Sequence, residues 1–202
     1  MSFIFISLAL IAGLATALIW RRGAAPIELA TGSYLSPRRS LPEFSLMDQN
    51  GRPFGPANLR GHWSILFFGY THCPDFCPTT LSTLAGLEKR LQDERAAVRP
   101  QVIFVSVDAK RDTPAQLATY VPAFDPAFIG VTAPTQPDID ALAAKLGVAV
   151  VITPAAGGSY TVDHTGALFV LDPRARLTAI LTGPLTVDSL QRDFERIVAG
   201  RP

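Results

Sequence analysis

The sequence predicts an α/β domain built on a central, mostly parallel sheet, with an N-terminal hairpin extension and one transmembrane helix ahead of it. Three observations carry this expectation. Apolar runs of strand length alternate with segments of helical spacing, the order expected when crossover helices join parallel strands. Residues 3–20 carry no charge at all. Both cysteines of the chain fall in one short segment between a strand-like run and a helix-like one.

The uncharged run reads FIFISLALIAGLATALIW. As a helix it covers ~27 Å, close to the thickness of a hydrocarbon core. A cleavable signal peptide is the rival reading, but no basic residue precedes the run, which also exceeds the usual ~7–15 apolar residues of such a peptide. Residues 1–22 are therefore expected to be an uncleaved membrane anchor. Arg21 and Arg22 follow the span, and the positive-inside tendency taken alone would hold the rest of the chain in the cytoplasm. Two basic residues are a modest signal, however, and long domains are translocated largely regardless of charge. Residues 23–41 are rich in Ala, Gly, Ser, Pro and Arg without sustained periodicity and read as a tether. The domain proper is expected to fill residues 42–202.

Its elements follow in order. EFSLMDQNGRPF alternates around an Asn50-Gly51 turn, as a short hairpin does. Residues 62–70 (HWSILFFGY) form a continuous apolar strand, and residues 78–97 a helix with Leu81, Leu84, Leu87 and Leu91 on one face, Pro78 suiting its first turn. Residues 102–107 are a second buried strand, Thr113-Pro114 opens a helix through Tyr120, residues 128–131 are a short strand, and residues 137–146 a helix. Strands at 167–171 and 177–181 and an amphipathic helix at 187–198 complete a β-α-β-α-β-α-β-β-α order.

A formal net charge of +1 over 202 residues excludes a strong bias toward nucleic acid. Hydrophobic residues at 48% against 17% charged are apolar for a soluble domain, in keeping with a share spent in a bilayer.

The chemistry concentrates in Thr71-His72-Cys73-Pro74-Asp75-Phe76-Cys77-Pro78. At the C-terminal end of a strand the chain turns outward, and the following helix supplies unpaired N–H groups and positive potential that favour thiolates. A purely structural disulfide is the bland alternative, but the entropic stabilisation from so small a loop is slight. In a regular helix, residues four apart have Cβ atoms ~5–6 Å apart, whereas a disulfide needs ~3.5–4.5 Å. Pro78 also lacks an N–H and would collide with the carbonyl four residues back. The pair therefore belongs on a bent loop or loose first turn, where it can close as a disulfide or hold a soft metal such as Cu(I) or Zn. Two thiolates call for a third ligand. Of the three histidines, His62 starts a strand and His72 is suited to local hydrogen bonding. His164 in Asp163-His164-Thr165 precedes the apolar strand ALFVLD, and in a thioredoxin-like arrangement its loop faces the cysteines across the sheet end. Asp108, Lys110, Arg111 and Asp112 form a charged cluster at the end of the second central strand, which either contacts a partner, orients a ligand or is a solvated loop with a helix cap. Asp75 and Asp163 either tune the site from outside its ligand shell or are ordinary loop carboxylates.

Three blocks in order, FFGYTHCPDFCPTTL, VSVDAKRDTP and YTVDHTGALFVLDP, resemble the SCO/SenC family of copper proteins over about residues 41–198. The resemblance implies a thioredoxin-like fold and a bacterial or mitochondrial inner-membrane anchor. It also implies a metallochaperone rather than an enzyme, delivering copper to the binuclear copper centre of cytochrome c oxidase subunit II or maintaining its thiols. The family's copper ligands, for Cu(I) or Cu(II), map onto Cys73, Cys77 and His164. Ala109 stands where many members have Pro. With no Arg-rich, Ser-rich transit peptide, the expected location is a bacterial inner membrane with the domain on the extracytoplasmic side. The expected partners are subunit II and another copper chaperone or thiol-disulfide exchange protein.

The rival is a thiol-disulfide oxidoreductase that attacks through one cysteine and resolves through the other. Such enzymes of the thioredoxin type place a Pro opposite the cysteines and two residues between them; here there is no Pro between Ser159 and Leu171, and three residues intervene. A peroxiredoxin-like peroxidase fits poorly because Pro78, Thr79 and Thr80 follow Cys77 rather than precede it. A copper or redox sensor uses the same residues.

The full-length protein should sediment with membranes and be released by deletion of residues 1–22; recovery of the intact, unprocessed chain in the soluble fraction would refute the anchor.

Overall fold

The computed structural model describes residues 27–200. The expected anchor lies outside them, and among the described residues no helix is long and apolar enough to cross a membrane. The chain enters through β1 (Gly32–Ser40) and the short hairpin β2 (Leu46–Asp48) and β3 (Pro53–Phe54), then runs into β4 (Ser64–Gly69), all six residues of which are buried. Helix α1 (Phe76–Asp93) buries Leu81, Leu84, Leu87 and Leu91, the stripe set by their spacing. It stops short of residue 97 because Arg95 takes a positive φ and the Ala96 N–H turns back to the Leu91 carbonyl. Next come β5 (Gln101–Ser106) and α2 (Pro114–Tyr120), whose Thr113 cap accepts the Gln116 N–H. β6 (Ile129–Thr132) and α3 (Gln136–Leu146) follow, the latter closed by Gly147 in the left-handed region. The chain ends through β7 (Val150–Pro154), β8 (Tyr160–His164), β9 (Leu168–Leu171), β10 (Arg176–Leu181) and α4 (Val187–Ala199).

Among the described residues the main sheet has eight strands in the order β1-β10-β9-β4-β5-β6-β2-β3, and β7 pairs with β8 in a separate two-stranded sheet. Only β4–β5 and β5–β6 are parallel; every other neighbouring pair is antiparallel. The expectation of a mostly parallel sheet therefore holds for the buried centre alone. Parallel pairing needs a crossover of a dozen or more residues, and the short links β2–β3 and β9–β10 leave no room for one. The hairpin extension is present, β2 pairing with the edge of β6.

Residues 32–40 are not a tether. They form the edge strand β1, antiparallel to β10, with a register shift between Tyr34 and Arg39. Pro37, Arg38 and Arg39 make the segment read as irregular, but an outermost strand tolerates proline and charge because one side of its backbone needs no partner. Two buried carboxylates hold this segment. Asp193 on α4 accepts hydrogen bonds from the Ala30 N–H (2.8 Å), the Thr31 N–H (2.7 Å) and the Thr31 hydroxyl (2.6 Å). Asp172, between β9 and β10, accepts from Arg38 Nη1 (3.0 Å) and from Arg176 Nε (2.8 Å), with the Arg174 and Arg176 amides on its other oxygen.

Burial alone raises the Asp172 pKa, but the Arg176 guanidinium and amide, with Arg38 and the Arg174 amide, outweigh it and hold the carboxyl below its ordinary value. The stabilisation from this depressed pKa is present above the unfolded-state value of about 4 and is lost as pH falls through the folded-state value. The urea-midpoint gap between the wild-type protein and Asp172→Asn should be full at neutral pH and shrink below pH ~4; a gap independent of pH would contradict this.

Candidate metal centre

The buried strand β4 ends at Gly69, and the chain leaves the sheet through a turn that carries Cys73 before α1 begins. Asp112 fixes this turn. Its buried carboxylate accepts from the Thr71 N–H (2.9 Å), the Thr71 hydroxyl (2.7 Å) and the Ser106 hydroxyl (2.7 Å), joining the ends of β4 and β5. Burial pushes the Asp112 pKa up, and the donors from Thr71 and Ser106 offset only part of that rise. Because α1 starts at Phe76, Pro74 lies ahead of the helix and Pro78 occupies its first turn, where a missing N–H costs nothing. Cys73 thus sits in the turn and Cys77 in the first helical turn. The Cys77 N–H points at Cys73 Sγ (3.4 Å).

Cys77 is fully buried and Cys73 half-buried; both are free thiols. The Cys77 sulfur packs against the backbone of β4: a Cβ on Gly69 would meet it at 2.9 Å and the Phe104 ring at 2.7 Å. His164 closes the site from the end of β8, with Nε2 at 3.5 Å from Cys77 Sγ and Nδ1 at 3.2 Å from the Thr165 carbonyl. Assigning the proton to Nδ1, as that carbonyl requires, leaves the Nε2 lone pair facing the sulfur. The imidazole is enclosed by Phe67, Phe76 and Tyr70, with ring centroids at 6.3, 6.2 and 6.0 Å. Gly166 makes room for the Phe76 ring, which a Cβ there would strike at 2.5 Å. Burial lowers the His164 pKa, keeping the ring neutral near pH 7, and raises that of the Cys77 thiol well above its ordinary value.

The structure therefore brings together the three residues singled out from the sequence. Their donor atoms lie within 4.8 Å of one another, close enough for one ion to touch all three. Two sulfurs and an imidazole nitrogen are donors suited to copper or zinc and poor ones for Mg or Ca. The other candidates fall outside the group. His62 is exposed in a bend two residues ahead of β4, and His72 is exposed with Nδ1 at 3.0 Å from the Thr71 hydroxyl. Asp75 precedes α1 and accepts from the Thr79 hydroxyl (3.3 Å), while Asp163 is exposed. The Asp108–Asp112 cluster is not a solvated loop: Asp108 and Asp112 are buried, and Arg111 pairs with Asp108. Sequence reasoning missed Gly69, Gly166, Tyr70 and Phe76. All four adjoin the ligand motifs, but nothing in their spacing says which atoms they approach.

A dithiol at the start of the first long helix, faced by an imidazole across the end of a parallel sheet centre, defines a thioredoxin-like domain built for metal or thiol chemistry. The chain belongs to the SCO1/SenC family, whose model matches residues 33–199. It is 39% identical to a candidate copper-binding protein of Stutzerimonas stutzeri over 165 residues, 81% of this chain and 80% of that one. It is 36% identical to the mitochondrial SCO2 homolog of Bos taurus over 162 residues, which are 78% of this chain but only 59% of the bovine protein. The crystal structure of Arabidopsis thaliana ScoI with copper bound superposes with a TM-score of 0.74 at 33% identity, covering 78% of this chain and 97% of that one.

Gly69→Ala should overpack the Cys77 pocket and cost about 1–3 kcal/mol, read as a lower urea midpoint; an unchanged midpoint would show that the sulfur is not held against the strand.

Proposed function

We propose that this chain is a membrane-anchored copper-handling protein that takes copper as cargo through Cys73, Cys77 and His164 and serves the binuclear copper centre of cytochrome c oxidase subunit II. The observation that carries this reading is the meeting of Cys77 with His164, 87 positions apart, with Nε2 of the ring 3.5 Å from the sulfur. Copper-bound structures of related Sco proteins at 33% and 32% identity support the choice of metal. The recipient rests on family membership, and the setting is an anchor at residues 1–22 in a bacterial inner membrane with the domain outside the cytoplasm. Exchange with another copper chaperone or a thiol-disulfide protein would use the same site, entered at the half-buried Cys73.

The residues contribute distinct steps. Cys73, half-buried at the helix start and receiving the Cys77 N–H, is the accessible donor at which cargo arrives. Cys77 holds its proton until a cation displaces it, so capture releases protons and strengthens as pH rises. His164 needs no deprotonation near neutral pH. Its hydrogen bond to Thr165 orients the ring, while the aromatic enclosure keeps water from the buried side.

A second reading, thiol-disulfide exchange that keeps the oxidase cysteines reduced, draws support from the same asymmetry. The Cys73 thiolate would attack a partner disulfide, forming a mixed disulfide and releasing one partner thiolate. Cys77 would then displace the other, leaving a Cys73–Cys77 disulfide and a reduced partner.

His164→Ala separates the two. Cu(II), which favours nitrogen and oxygen donors, should lose most of its binding and its thiolate charge-transfer colour. Some Cu(I) affinity and the reversible Cys73–Cys77 disulfide should survive, while support of oxidase assembly fails. A variant with an unchanged Cu(II) spectrum and normal assembly would overturn the ligand assignment and favour the thiol reading.

A further inference from the structure

His164 reaches the cysteines from a strand that the main sheet does not hold. Among the described residues β7 and β8 pair only with each other, from Val150↔His164 at one end to Pro154↔Tyr160 at the other, and residues 151–159 are exposed throughout. A two-stranded hairpin is marginal by itself in water, so the position of His164 depends on what ties the hairpin to the domain. Val162 supplies one buried contact. The polar tie is at the far end of β8. The Tyr160 hydroxyl donates to Asp108 Oδ1 (2.7 Å), and Arg111 Nη1 donates to the Tyr160 carbonyl (3.3 Å).

Arg111 is the hub of this arrangement. Its Nε pairs with the buried Asp108, and its guanidinium carbon lies 3.8 Å from the Tyr160 ring centroid and 5.5 Å from that of Tyr70. Nη2 is buried without a hydrogen-bond partner. The Tyr70 ring in turn meets the His164 imidazole edge-on at 6.0 Å. One side chain thus touches the strand that carries His164 and a ring that encloses its imidazole. Lys110 adds a second cation 5.6 Å from the Tyr160 ring.

We infer that Arg111 is a positioning residue for His164, acting through its stack on Tyr160 to fix the β8 strand and through Tyr70 to fix the imidazole against the cysteines. The link to metal binding rests on the copper reading above; the placement of the ring does not. A planar guanidinium is required, because an ammonium can supply the charge but neither the stack nor the several directed donors.

The test uses Tyr160→Leu, which removes the stack while leaving the Arg111–Asp108 pair intact, with Tyr160→Phe as the conservative control and Arg111→Lys for the charge. In the reduced, metal-free protein, the His164 ring protons should move toward free-histidine NMR shifts in Tyr160→Leu and Arg111→Lys as they leave the surrounding ring currents. Tyr160→Phe, which keeps the stack and loses only the hydroxyl bond to Asp108, should move them less than Tyr160→Leu does. Cu(II) affinity should fall about tenfold in the first two variants, the lower bound usual for groups that orient a ligand, while closure of the Cys73–Cys77 disulfide is unchanged. Unmoved His164 resonances in Tyr160→Leu, or full rescue by Arg111→Lys, would overturn the inference. Displaced resonances in a protein whose wild type takes no Cu(II) would sustain the positioning role and sink the copper reading alone.

Discussion

Asp112 is the constraint on which the site is built. Burying a carboxylate costs several kcal/mol unless donors replace its water, and here Thr71 supplies two and Ser106 a third. Those donors stand at the ends of the two central parallel strands, so satisfying one charge locks the exit from β4 to the exit from β5. The turn bearing Cys73 is thereby fixed relative to the floor of the sheet, and the start of α1 follows from it. Gly69 then lets the Cys77 sulfur settle onto the strand. The dithiol is held by the centre of the fold.

The centre of the fold was also the part most legible in the sequence. β4, β5 and β9 are continuous apolar runs because their residues are almost wholly buried, and burial writes a strong signal. β1 and β7–β8 left almost none. β1 is an edge strand with proline and two arginines, and its docking depends on Asp193 and Asp172, more than 130 positions away. β7 is nearly all exposed, so its Val150-Val151-Ile152 run lacks the alternation that identifies a half-buried strand. Its β-branched composition and the Gly157-Gly158 turn were the available signals. Strand direction was misjudged at the flanks because composition marks burial and does not report whether a neighbour runs up or down.

For the site, residue chemistry narrowed the donors to two cysteines and three histidines, and the expected thioredoxin-like arrangement with the family resemblance singled out His164. The surrounding machinery could not be read in the same way. Arg111 looks like one charge among several in VSVDAKRDTP, and only the fold shows its guanidinium beside the rings of both Tyr70 and Tyr160. Phe76 occupies a motif position with no apparent chemistry, yet its half-exposed ring covers His164.

If residues 1–22 are the anchor proposed above, the capture of Thr31 by Asp193 sets how far the domain can stand from the bilayer. A flexible segment through residue 41 would give about 19 residues of slack beyond the proposed span, a reach of roughly 65 Å when fully drawn out. With Ala30 and Thr31 bonded to α4, only residues 23–29 lie between the proposed span and the first of these bonds, about seven residues that reach at most roughly 25 Å. Under the proposed anchoring the domain would be a bracket close to the lipid surface rather than a float on a long line. On the proposed copper-delivery reading, only recipients whose copper-accepting residues stand within that shallow layer would be served without detaching the strand.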